Sequence, residues 1–73
     1  MPKKSTLDQF GDRLRELRKE AGISQEKLAE LSGLHRTYIS GVERGERNPS
    51  LTSITRIAHA LKITLSKMME GVQ

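Results

Sequence analysis

The nine residues RTYISGVER, Arg36 to Arg44, put donors of hydrogen bonds where a helix would display them together. On a helical wheel with Ile39 pointing inward, Thr37, Ser40, Gly41 and Arg44 cluster on the outer side, with Arg36 at its edge. Each guanidinium can donate two bonds to O6 and N7 of a guanine, and Thr37 can offer a methyl to thymine or a hydroxyl to either base edge. A solvated face is the competing explanation. Such a face would carry Glu, Lys or Ala rather than Thr, Ser and Gly. Gly41 sharpens the point, because a helix interior gives up about 1 kcal/mol of propensity there. The expected return is close approach: without a Cβ, the backbone can lie nearer bases or sugars.

Residues flanking this stretch have the chemistry of backbone contacts. Ser24 and Gln25 open the preceding helix, whose first amides and positive dipole end suit a phosphate. Arg47 and Asn48 follow in a loop where they could grip the adjacent phosphate, and Tyr38 on the flank suits either a phosphate oxygen or half-buried packing. Lys3 and Lys4 stand in an N-terminal stretch, residues 1–5, read as a flexible basic arm. Contacts of this kind give salt-dependent affinity without reading sequence.

Helical spacing of apolar residues runs almost throughout the chain, and strand-like alternation appears nowhere. The expected fold class is all-α, five helices in one compact bundle. Phe10, Leu14, Leu17 and Ala21 form the stripe of a first helix, started by a Thr6–Gln9 capping box and stopped by Gly22. Ser24 caps a second helix, QEKLAELS, with Leu28 and Leu31 on one side, and Gly33 makes the turn that follows. The third helix is expected from about Arg36 to Arg44, ended by Gly45 in a left-handed conformation. Pro49 keeps the next residues out of helix. Ser50 caps a fourth helix with Leu51, Ile54, Ala58 and Leu61 as its stripe and Ile57 flanking it, and Thr64 caps a fifth holding Leu65, Met68 and Met69. The apolar surface of this last helix exceeds what one domain can bury, which points to a dimer interface over about 58–70 through Leu65, Met68 and Met69.

Bulk properties bound the possibilities. The 73 residues make one small domain, 1–73, and a chain of this size buries only about 60% of its unfolded surface. With no cysteine, disulfides and thiolate metal sites are excluded, and a reducing cytoplasm is the expected location. The N-terminus lacks the apolar run of a signal peptide, and no stretch approaches the roughly 18 apolar residues of a membrane span. A net charge of +4 favours an anionic partner. Two histidines, His35 and His59, make poor metal prospects. No nucleophile–acid set, phosphate-cradling glycine loop or cofactor site is legible, so neither enzymatic activity nor a cofactor is expected.

The stretch SQEKLAELSGLHRTYISGVERG, residues 24–45, resembles the helix-turn-helix of the lambda-repressor/Cro-like family, the xenobiotic-response-element type. The likeness rests on a small Ala29 where the two helices cross, Gly33 at the turn, and Leu28, Leu34, Ile39 and Val42 as the wedge between them. LHRTYISGVERGERNPSL further resembles the controller proteins of restriction–modification systems. The resemblance implies a sequence-specific transcriptional regulator, activator or repressor, working as a homodimer on a two-fold symmetric operator. Double-stranded DNA, a second copy of the chain and RNA polymerase are the partners it implies. It adds a capping or base-contacting role for His35, with an idle surface histidine as the alternative. Gln25 would bridge a phosphate and the recognition helix, and Arg18 would pair with Glu43 in a buried ion pair. A general repressor of a phage or mobile element, or an antitoxin-like protein-interaction module, are the competing functions.

Overall fold

In the computed structural model, residues 4–73 are described. They form five helices: α1 (Thr6–Glu20), α2 (Gln25–Ser32), α3 (Arg36–Glu43), α4 (Leu51–Leu61) and α5 (Leu65–Met69). No strand occurs among the described residues. α1 packs on α3, α2 lies between α3 and α4, and α5 closes the bundle against α1 and α4. The core is one cluster in which Leu14, Leu28, Ile39, Val42, Ile57 and Met68 are fully enclosed.

Four of the five helices begin with a hydroxyl accepting an amide of the first turn: Ser5 for α1, Ser24 for α2, Ser50 for α4 and Thr64 for α5. The cap of α1 lies one residue before the expected Thr6. Gln9 does not complete a capping box; its Nε2 donates to the Lys4 carbonyl at 2.9 Å. Its Oε1 accepts the Gln73 amide, and Thr6 Oγ1 donates to the Gln73 carbonyl, so the C-terminus is tied across the start of α1. Lys4 reaches Asp12 at 2.5 Å, so it folds onto α1 rather than extending as an arm. Lys3, the other lysine assigned to that arm, lies outside the described residues.

Helical stripes proved right in their centres and wrong at their ends. Ala21 is the exposed C-cap of α1 rather than a core residue. Leu31 is 49% exposed, and Ala29 and Ser32 take the buried positions beside Leu28. In α4 the buried line is Ile57, Ala58 and Leu61, while Leu51 stands 73% exposed in the first turn.

Gly45 ends α3 at φ +74°, with its amide on the Val42 carbonyl and the Glu46 amide on the Gly41 carbonyl. α4 ends in the same way on a residue ill suited to it. Lys62 takes φ 58° and ψ 41°, the sole positive-φ non-glycine among the described residues. Lys62→Gly is therefore expected to stabilise the fold by about 0.5–1 kcal/mol. A raised urea midpoint checks this; a lowered one would mean that the lysine stem contributes more than its backbone loses.

Candidate nucleic-acid interface

α3 is held by its inner side and bare on its outer one. Ile39 and Val42 enter the core, and the α1 backbone crosses α3 closely enough that a Cβ on Gly11 would lie 2.6 Å from the carbonyl oxygens of both Val42 and Glu43. On the outer side Arg36, Thr37, Ser40 and Arg44 line a single shallow depression of about 200 Å³. Arg36 and Thr37 are exposed, and Arg36 has no protein acceptor among the described residues. Ser40 and Arg44 are engaged with each other through Arg44 Nη1 and Ser40 Oγ, and Arg44 Nη2 reaches Glu46 at 3.2 Å. The surface thus offers one free guanidinium, one guanidinium already oriented by a carboxylate, and two hydroxyl-bearing side chains.

Gly41 is a correction to the sequence reading. It is buried, not on the lip of the depression, and a Cβ built there would come 2.7 Å from Arg47 Cγ. Its bareness is covered by the chain itself. Arg47 runs over it, with its guanidinium carbon 5.9 Å from the centre of the half-buried Tyr38 ring. Tyr38 also packs against the core cluster, the half-buried packing that was one of its two expected roles. Asn48 is exposed next to Arg47. His35 is the N-cap of α3 by position, yet its side chain makes no capping hydrogen bond and is exposed.

Behind this face lies a polar network anchored on Glu43, whose side chain is wholly buried. Arg18 grips it with two bonds, Nε to Oε2 at 2.6 Å and Nη2 to Oε1 at 3.0 Å, the fork geometry that makes such pairs strong. Arg18 Nη1 also donates to the Ile23 carbonyl, and Gln25 Nε2 donates to Glu43 Oε1 at 3.0 Å. The network therefore joins α1, the entry of α2 and the end of α3. Burial by itself would raise the Glu43 pKa. The hydrogen bonds from Arg18 and Gln25 and the charges of Arg18 and Arg15 outweigh it, so the group titrates below its ordinary 4.5. Ser24 uses its Oγ to accept the Lys27 amide at 2.9 Å, leaving its hydroxyl hydrogen to donate elsewhere. With Gln25 turned towards Glu43, the entry of α2 is coupled to α3 through a side chain rather than through packing alone.

Several residues escaped the sequence reading. Gly11 was legible in principle, because a glycine within a helix, three residues before Leu14 on the buried stripe, marks a close crossing. Arg15 donates from Nη2 to the Glu43 carbonyl at 3.1 Å and lies 3.6 Å from its carboxylate through Nε. Only the folded crossing of α1 and α3 brings it there. Met68, assigned to a dimer interface, is fully buried in its own domain, whereas Leu65 and Met69 are 41% and 39% exposed. A five-residue helix is too short for its pattern to say which apolar residue turns inward. No group of three or more His, Cys, Asp or Glu converges among the described residues, and none of their helices is long and apolar enough to cross a membrane.

Residues 14–68 match the helix-turn-helix family. The control protein C.SmaI of Serratia marcescens is 47% identical over 60 residues, covering 82% of this chain and 71% of that protein. The control protein C.MunI of a Mycoplasma species is 43% identical over 65 residues, covering 88% of each. The crystal structure of the restriction-modification controller protein C.AhdI from Aeromonas hydrophila superposes with a TM-score of 0.84 at 56% identity, covering 85% of this chain and 94% of that one. The chain therefore belongs to the helix-turn-helix family of DNA-binding transcriptional regulators, among the small control proteins, and not to a family of enzymes.

Proposed function

We propose that the chain controls the genes of a restriction–modification system, as a homodimer that sets two copies of α3 into successive major grooves about 34 Å apart. The observation that carries this reading is the depression on α3 lined by Arg36, Thr37, Ser40 and Arg44, with Arg36 free of any protein acceptor among the described residues. Arg36 and Thr37 read base edges, joined by Arg44 and Ser40 once their mutual contact opens onto DNA, and His35 reaches the groove from the helix start. Ser24, Gln25, Tyr38, Arg47 and Asn48 hold the phosphates on either side. Leu65 and Met69, the exposed apolar pair of α5, meet their copies across the two-fold axis, and Leu51 is a third exposed apolar residue that a partner would cover. Bound beside a promoter in the cytoplasm, such a dimer acts on the access or recruitment of RNA polymerase.

Footprinting on the DNA upstream of the chain's own gene tests this. The expected result is protection of two symmetric half-sites about 10 base pairs apart, centre to centre, at concentrations where random DNA stays open. Protection with no symmetry, or none beyond that of random DNA, would contradict it.

A further inference from the structure

Gly41 lies in the middle of the recognition helix and yet faces its own chain, which leaves its role unaccounted for by base contact. We propose that Gly41 is a positioning residue: its missing Cβ forms the slot that seats the Arg47 stem and so aims the Arg47 guanidinium at the phosphate beside α3. This rests on the assignment of Arg47 to the DNA backbone made above. A Cβ on Gly41 would lie 2.7 Å from Arg47 Cγ, 3.6 Å from Nε and 3.7 Å from Cβ, so the stem of Arg47 fills the space that any other residue would occupy. The far end is held as well, with the guanidinium carbon 5.9 Å from the Tyr38 ring centre, within cation–π range. The main chain leading to Arg47 is fixed at the same place, because the Glu46 amide donates to the Gly41 carbonyl at 2.9 Å.

Arg47 is thus held by its backbone neighbour, its stem and its head, while no protein acceptor among the described residues takes its N–H groups. Arginine is a flexible side chain, and one already ordered loses less freedom when it binds a phosphate. Substitution at Gly41 has a defined point of relief. The atom in the way belongs to a side chain that can swing, so an alanine there displaces Arg47 and leaves the helix in place.

A double-mutant cycle of Gly41→Ala and Arg47→Ala tests the slot, using an operator duplex from the chain's own upstream DNA and a random duplex of equal length, each titrated with salt. Gly41→Ala is expected to weaken binding to both duplexes alike and to flatten the log–log salt slope by about 1 per half-site, as Arg47→Ala does. With Arg47 already removed, Gly41→Ala should change neither affinity nor slope. Melting without DNA supplies an independent reading. In the Arg47→Ala background Gly41→Ala should raise Tm by about 5 °C through helix propensity alone, and by clearly less with Arg47 present. A further loss of affinity from Gly41→Ala without Arg47 would mean that Gly41 meets DNA itself, and would overturn the slot. Weakening by Arg47→Ala but not by Gly41→Ala would overturn the slot and leave the phosphate assignment standing. No effect of Arg47→Ala on either duplex would overturn the phosphate assignment, and the slot's bearing on DNA with it.

Discussion

Arg18→Met should remove about 3–5 kcal/mol of folding stability, because it leaves the fully buried Glu43 carboxylate without its principal partner. A domain of this size has roughly 4–11 kcal/mol in total, so the variant should sit near the edge of folding. Its pH dependence identifies the cause. In the native chain the Glu43 pKa is depressed, so its stabilisation is complete above the ordinary value of 4.5 and is lost as pH falls through the lower folded value. In the variant, burial acts with less opposition, since Arg15 at 3.6 Å and Gln25 at 3.0 Å are what remains, and the pKa should rise instead. Protonation then relieves the variant while it weakens the native chain. Urea midpoints of the two should be far apart at neutral pH and converge on acidification, the variant gaining as pH falls towards 4.5 and the native chain losing below it. A melting temperature unchanged by the substitution, or a gap independent of pH, would mean that the pair contributes nothing to the fold.

The second large effect concerns a residue with no charge at all. Gly11→Ala should destabilise the chain by about 3 kcal/mol, at the upper end of the usual range for overpacking. The new methyl would stand 2.6 Å from two carbonyl oxygens and 2.9 Å from the Glu43 carbonyl carbon, all of them backbone atoms that cannot turn aside. α1 and α3 would have to part, taking with them the Arg15 bond to the Glu43 carbonyl and the Arg18 fork. Helix propensity alone gives the opposite sign, a gain of about 1 kcal/mol. The direction of the shift in the urea midpoint therefore decides between a close crossing and an ordinary helix position. Gly41 forms the contrast: its nearest neighbour is a side chain, and the same substitution there should be tolerated by the fold.

These two residues also show what could be read from the sequence and what could not. Hydroxyl caps at Ser24, Ser50 and Thr64 and the glycines at 22, 33 and 45 were legible because they act within a few residues of themselves. The cap of α1 moved by one residue because Ser5 and Thr6 are chemically equivalent there and only the backbone decides. The partnership of Arg18 and Glu43 came from the family resemblance, and the geometry supplied what resemblance could not, the participation of Gln25 and Arg15. The outer face of α3 was legible from its wheel: Arg36, Thr37, Ser40 and Arg44 do surround one depression. Gly41 was misplaced because a wheel of residues 36–44 contains no term for Arg47, which returns over the helix after the left-handed turn at Gly45. Met68 was misplaced for a related reason, since the side of α5 that turns inward is set by α1 and α4 rather than by α5.

The most direct test of the outer face of α3 as the element that reads sequence is the affinity of Arg36→Ala across a panel of operators, each altered at one base pair, with random DNA alongside. The expected result is a loss on the intact operator of about 1–3 kcal/mol, with discrimination abolished at one position of each half-site and binding to random DNA little changed. An equal loss on operator and random DNA, with the base preference intact at every position, would contradict it.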